Sequence, residues 1–241
     1  MSITILSVFP ELLDLNGDAQ NALVLAQRAQ WAGLDARVHA LPLGASPSGR
    51  PDIVVVGSGA ESSARAVLDG LRALEDDLRS WTAATVPLLA VGTGWELLGE
   101  SVELATGPVL TGLGVFSGRS IPRARVSDDL VVDTDYGRLV GFENHARQYL
   151  AGTGAQALGT VVYGVGNSGS SAVKGEGEIV GASFGTHLHG PVLAKNPGLA
   201  DHLLSLVDDG YSADNATARR VDASAEAART QILQRLGLGP Q

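Results

Sequence analysis

Between Ile3 and Val91 the chain alternates short apolar runs with stretches of helical spacing, and this order restricts the fold more than any other feature. Ile3–Val8, Ile53–Val56 and Pro87–Val91 read as largely apolar strands, and Asp35–Leu41 as an alternating one. Asn21–Ala32 carries Leu23, Ala26, Gln27 and Gln30 at helical spacing and stops at Gly33. Pro42–Pro51 reads as a loop, and Glu61–Trp81 as one long helix rich in Ala, Leu, Arg and Asp. Apolar strands joined by helices form a parallel sheet covered on both faces. The expected class is therefore α/β, with a parallel-core sheet and flanking helices.

The second half changes character. Leu130–Asp133, Leu139–Glu143, Gly159–Tyr163 and Glu178–Phe184 read as short strands, and Gly164–Gly177 as a Gly/Ser-rich loop. These strands are expected to form an antiparallel extension of the sheet. Helix returns at Leu199–Val207 and at Ala223–Leu236, where Ala228, Ile232 and Leu236 make a stripe and Gly237 a stop. Asp208–Ala218 reads as a polar, mobile connection. With no internal repeat or clean linker, residues 1–209 are expected to be one domain. Residues 210–241 would be a connection and a helix packed on or beside it. The stripe reads as a packing face rather than a docking element.

A chain of 241 residues can bury roughly 70–75% of its unfolded surface. A net charge of −9 argues against nucleic-acid backbones, which need clustered Lys and Arg. No apolar run approaches a membrane span, and Met1–Pro10 is too short for a secretion signal, so a soluble, cytoplasmic protein is expected. The chain has no cysteine. That excludes disulfides, thiolate metal sites and a cysteine nucleophile.

Sites in open α/β sheets form at the carboxyl ends of strands. One such end is Val56-Gly57-Ser58-Gly59-Ala60-Glu61, whose backbone N–H groups could hold an anion or oxyanion. It lacks the dinucleotide and P-loop glycine patterns, and a plain tight turn is the alternative. The second is Leu88–Gly99, where a buried strand meets a short helix through Gly92-Thr93-Gly94, the shape of a nucleophile elbow. Its apex is Gly92, which has no side chain to attack with. The third is Gly185–Pro197. His187 or His189 is a candidate general base, and the two share a face if the strand runs through them. A His-x-His metal pair joined by His145 is the competing reading, without a third ligand of diagnostic spacing. His39 and His202 read as ordinary strand and helix positions.

Five segments, in order, resemble the class I glutamine amidotransferases of the CobB/CobQ type. They are Leu15-Asn16-Gly17-Asp18 with Asn21–Leu25; Gly57–Glu61; Gly141-Phe142-Glu143-Asn144-His145; Tyr163-Gly164-Val165-Gly166-Asn167; and Leu188-His189-Gly190-Pro191 with Lys195-Asn196-Pro197. The similarity runs from about Ile3 to Val207 and is strongest to GatD-type glutaminase subunits of lipid II isoglutaminyl synthase. It implies a class I glutamine amidotransferase-like, flavodoxin-like fold with no cofactor and no metal. In that family a cysteine attacks the glutamine amide, and a histidine moves the protons. The ammonia passes to a MurT-like Mur ligase subunit, which amidates the stem-peptide glutamate of the peptidoglycan precursor. By resemblance His189 takes the histidine role, and Gly59 and Thr93 lie at the oxyanion hole. Arg125 would hold the L-glutamine carboxylate, with Arg119 and Arg123 as alternatives. Counting back from Leu98-Gly99, Glu96 stands for the family's Gln, Trp95 for its aromatic residue and Gly92 for its cysteine.

Gly92 removes the strain that a side chain at such an apex carries, on the order of 1–3 kcal/mol. Thr93 is the one conceivable substitute nucleophile nearby, and it would need an adjacent base. Three readings follow. The chain is a GatD-like subunit that keeps the family role in cell-wall precursor amidation, with glutamine hydrolysis expected at least beside its partner, although Gly92 argues that this step is lost. Or it is a non-catalytic binding or regulatory subunit. Or it is a His-based metalloenzyme.

Overall fold

The computed structural model describes residues 2–167 and 174–239. The middle of the expected Gly164–Gly177 loop, residues 168–173, lies outside the described residues. Along the chain come β1 (Ser2–Val8), α1 (Asn21–Trp31), β2 (Asp35–Leu41), β3 (Ile53–Val56), α2 (Ala64–Ala73), α3 (Glu75–Ala83), β4 (Leu88–Val91) and α4 (Thr93–Leu98). Then follow β5 (Ser101–Glu103), β6 (Val109–Thr111), β7 (Arg119–Thr134), β8 (Gly137–Leu150), β9 (Gly159–Tyr163), β10 (Gly175–Glu176), β11 (Glu178–Val180) and β12 (Ser183–Thr186). The last elements are α5 (Val192–Lys195), α6 (Pro197–Ser205) and α7 (Ala216–Arg235).

The first sheet has the order β11-β12-β4-β3-β1-β2. All its pairs are parallel except β11 with β12. Both central strands, β3 and β4, are buried along their whole length. Their side chains alternate, so each face supplies one half of the core. Val54, Val56, Leu88 and Ala90 pack with Leu68, Leu71 and Trp95 under α2 and α3. Ile53, Val55, Leu89 and Val91 pack with Leu25, Ala29, Leu199 and Leu203 under α1 and α6.

The expected long helix over Glu61–Trp81 is divided. A 3-10 turn (Glu61–Ser63) leads into α2, and the helix resets at Leu74, φ −101°. Glu75, Asp76 and Asp77 then fill the first turn of α3, where acidic groups favour a new helix start. The expected strand Glu178–Phe184 is likewise two strands, folded back at Gly181, φ 58°.

The antiparallel extension of the parallel sheet is β11 alone. The remaining strands make a second six-stranded sheet, antiparallel except for β5 beside β7, ordered β10-β9-β7-β5-β6 with β8 paired to β7. Its centre is the β7–β8 hairpin, much longer than the two apolar runs that the sequence displayed. The first half of β7 is polar and mostly exposed, so only its far end carries an apolar signal. Val131 and Val140 on this sheet pack against Leu233 of α7, while Leu130, Val132 and Leu139 join the core under the first sheet.

The helix α7 is seven residues longer at its start than the stripe suggested, because the Asn215 side chain caps it by accepting from the Ala218 N–H at 2.9 Å. The connection before it shrinks accordingly. Buried Arg28 on α1 binds Asp201 of α6 through Nε and Nη2, both at 2.8 Å, and Asp222 of α7 through Nη1 at 2.6 Å. Among the described residues no helix is long and apolar enough to cross a membrane.

Candidate functional site

The site lies where β3, β4 and β12 end. Gly92 follows β4 with φ 52° and ψ −121°, a conformation that side chains rarely adopt. Neighbours fix it there: its N–H donates to the Thr186 carbonyl and its own carbonyl accepts from the Glu96 N–H, both at 2.9 Å. Gly94 then passes so close to β3 that a Cβ would lie 2.3 Å from the Gly57 carbonyl oxygen. A sharp elbow results, with α4 leading away from it.

Beside the elbow runs Gly57-Ser58-Gly59-Ala60. The Thr93 hydroxyl donates to the Gly59 carbonyl at 2.9 Å, and the Thr93 N–H donates to Ser58 Oγ at 3.3 Å. Thr93 is thus tied to this loop and not to an imidazole.

His189 comes from the segment after β12, held by its N–H to the Phe142 carbonyl at 2.9 Å. Its Nδ1 lies 2.8 Å from Asp18 Oδ2, and both side chains are buried. A carboxylate accepts there from Nδ1–H, which leaves Nε2 bare. Nε2 makes no hydrogen bond to any described group. Asp18 sits in the turn (Asp18–Gln20) that opens α1. It thereby orients the imidazole as a general base needs to be oriented.

A cavity of about 190 Å³ opens over Gly92 and Thr93, with Ser58, Gly59, Arg125, Asn144 and Arg147 in its walls. Arg125 is exposed and donates to Asn144 Oδ1 at 2.9 Å. Of Arg119, Arg123 and Arg125, it is Arg125 that lies in this wall. Arg119 faces Leu150 across the hairpin, and Arg123 lies in the irregular stretch between Pro122 and Val126.

Below the cavity runs a row of alternating charge: partly exposed Glu61, then buried Arg147, Glu96, His187 and Glu176. Arg147 donates twice to Glu96 Oε2, at 2.9 and 2.6 Å, and also binds Glu61. His187 stands 3.7 Å from Glu96 and 3.8 Å from Glu176. Burial works against charge on Glu96, yet His187 and Arg147 hold its carboxyl down at about 2. Burial likewise opposes the His187 cation, but Glu176 and Glu96 raise its pKa to about 9. His145 stacks on it, ring centroids 4.2 Å apart. Burial and the His187 charge lower the His145 pKa against the pull of Glu143, so a neutral ring covers a charged one.

His187 and His189 do not share a face, because β12 ends at Thr186. One imidazole enters the charged row and the other meets Asp18 and the elbow. The stacked rings of His145 and His187 do not converge on a common point as metal ligands must. Among the described residues no group of three or more His, Asp or Glu is placed to hold a metal ion.

Sequence pattern alone assigns no role to two side chains of this site, Asp18 and Arg147. Asp18 lies in the Leu15–Asp18 segment, but its partner is 171 residues away. Arg147 was legible in principle: Glu143, His145 and Arg147 are the buried residues of an alternating stretch of β8, and polar groups buried at a period of two mark an inward polar face.

The charged row predicts a pH dependence. In the fold His187 keeps its proton to about pH 9, against an ordinary value of 6.5. Its contribution to stability is complete below about pH 6.5 and is lost as pH rises through about 9. Urea midpoints should therefore fall between pH 6.5 and 9.5, and His187→Gln should flatten that fall. An equal slope in the variant refutes the assignment.

The CobB/CobQ-like glutamine amidotransferase domain family matches residues 7–197. The chain is 29% identical over 207 residues to the Staphylococcus aureus lipid II isoglutaminyl synthase (glutamine-hydrolyzing) subunit GatD, covering 84% of this chain and 83% of that one. It is 28% identical over 208 residues to the subunit of the same name from Streptococcus pneumoniae, covering 84% and 79%. A crystal structure of a glutamine amidotransferase aligns over 84% of this chain and 98% of its own, with a TM-score of 0.54 at 18% identity.

Proposed function

The chain belongs to the CobB/CobQ-like glutamine amidotransferase family, and from that premise we propose that it is a GatD-like subunit that binds L-glutamine but has lost the glutaminase step. In this reading it pairs with a MurT-like Mur ligase subunit in the amidation of peptidoglycan precursors. Residues 1–209 are the amidotransferase-like domain, and residues 210–241 an appended connection and helix. The similarity to two GatD subunits over most of their length supports the cell-wall assignment.

The observation that carries the lost step is Gly92 at the apex. The elbow backbone, the His189–Asp18 pair and the loop at Gly59 are assembled around a residue with no atom to attack an amide. His189 holds the general-base position and would have no proton to take. Thr93 and Gly59 hold the oxyanion positions. Arg125 offers an exposed guanidinium fork to the ligand carboxylate.

Calorimetry with L-glutamine tests the binding half. We expect the native chain to bind and Arg125→Ala to bind about 10- to 100-fold more weakly, the cost of one charge-assisted hydrogen-bonded contact. Ammonia release, assayed with and without the ligase partner, tests the other half. The native chain should release none. No heat with glutamine, or release at the rate of a cysteine-bearing relative, defeats the proposal.

A further inference from the structure

We propose that Ser58 is a second lock on this site: it fills the space that a side chain at position 92 would need, and it occupies the Thr93 N–H. Putting a nucleophile back at the apex would then require changing Ser58 as well. The inference deepens the reading of Gly92 as the family's nucleophile position and rests on it.

The steric observation is direct. A Cβ on Gly92 would lie 2.6 Å from Ser58 Oγ, 2.9 Å from Ser58 Cβ and 2.8 Å from His189 Cε1. All three are closer than side-chain carbons pack. Rotating the Ser58 hydroxyl away leaves the contact with its Cβ, which is fixed to the backbone. The His189 contact is with the rim of a ring at the end of its side chain, which a small tilt relieves, whereas Ser58 Cβ cannot move without its backbone. Glycine at 92 and serine at 58 therefore fit each other.

The polar observation is independent of the first. In acyl transfer, the N–H that follows the apex is offered to the carbonyl oxygen of the substrate. Here that N–H belongs to Thr93, and it already donates to Ser58 Oγ at 3.3 Å. Ser58 is buried, so a substrate oxygen must displace it from an enclosed position. The same hydroxyl is not a replacement nucleophile. His189 Nε2 makes no hydrogen bond to any described group, Ser58 included, and without an adjacent base a serine hydroxyl is a weak nucleophile.

The experiment compares the native full-length chain with Ser58→Gly, Ser58→Ala, Gly92→Cys and the Ser58→Gly/Gly92→Cys double variant. One readout needs no glutamine: the loss of melting temperature on Gly92→Ala, measured in the native and Ser58→Gly backgrounds. We expect the loss to be at least halved in the second. A parallel readout is alkylation of the thiol by iodoacetamide, expected to be at least tenfold faster in the double variant than in Gly92→Cys. Glutamine hydrolysis should follow the same order, with Ser58→Ala/Gly92→Cys in between, because it loses the hydroxyl but keeps the Cβ.

Equal melting losses in both backgrounds, together with equal rates in Gly92→Cys and the double variant, overturn the proposal. Ammonia release from the native chain that Ser58→Ala abolishes also overturns it, making Ser58 the nucleophile. Coupled melting losses and coupled alkylation without hydrolysis support the lock. That outcome would instead count against the glutaminase ancestry of the cavity.

Discussion

Arg147→Leu should cost the fold about 3–5 kcal/mol, the penalty for stranding a buried charge. Arg147 and Glu96 have side chains only 8% and 2% exposed, so little solvent screens the pair. Removing the guanidinium takes two hydrogen bonds from Glu96 and leaves His187, 3.7 Å away, as its remaining cation. Glu61, more than a third exposed, can turn to water and contributes little to the loss. The double variant Arg147→Leu/Glu96→Gln should recover most of the stability, since replacing both members of a buried pair is often close to neutral. Urea unfolding with an unchanged m-value measures both effects. A single-variant loss under about 1 kcal/mol would mean that the row is solvated in solution and not a dry ion chain.

Arg28→Leu should be the second large effect, about 2–4 kcal/mol, and its consequences should be local as well as global. Arg28 joins three helices, and its two carboxylate partners are each 32% exposed. Their partial hydration makes the loss smaller than for a sealed pair. Without Arg28 the two aspartates repel each other across the seam, and Tyr211, whose hydroxyl donates to Asp201 at 2.6 Å, is left to hold it. Amide exchange should quicken first in α7 and in residues 208–215, ahead of the parallel sheet. Uniform quickening across the chain, or none in α7, would contradict the role of Arg28 as the anchor of that helix.

What the sequence displayed and what it hid differ for physical reasons. The four strands β1 to β4 were legible almost to the residue: β1, β3 and β4 are largely buried and need apolar runs, and the edge strand β2 alternates. The first half of β7 was not, since a strand with one solvated, charged face resembles a loop. The break at Leu74 was encoded in Glu75-Asp76-Asp77 and the start of α7 in Asn215, but both are terminus signals placed against a helical background. In the site, the elbow at Gly92, the loop at Gly59, Thr93, Arg125 and His189 could be read from ordered segments; all but His189 line one cavity, and the His189 ring stands beside Gly92. Asp18 and Arg147 act through partners far away in sequence. Ser58 carries a steric meaning that no residue pattern contains, because it depends on how closely two strand ends approach.

The order of strands also has a bearing on how the chain assembles. Ser183 of β12 lies beside Leu88 of β4, with the entire second sheet between them in sequence. While the chain is being synthesised, β4 has β3 on one side and an unsatisfied apolar edge on the other. Pairing across so wide a gap is slow, because loop-closure entropy must be met before the contacts form. The β7–β8 hairpin is closed by local register and can form while β4 waits. An open, apolar strand edge is a template for wrong partners. The stage of greatest exposure to aggregation is therefore the nascent chain before residue 183 emerges, well before the finished protein is threatened by heat or denaturant.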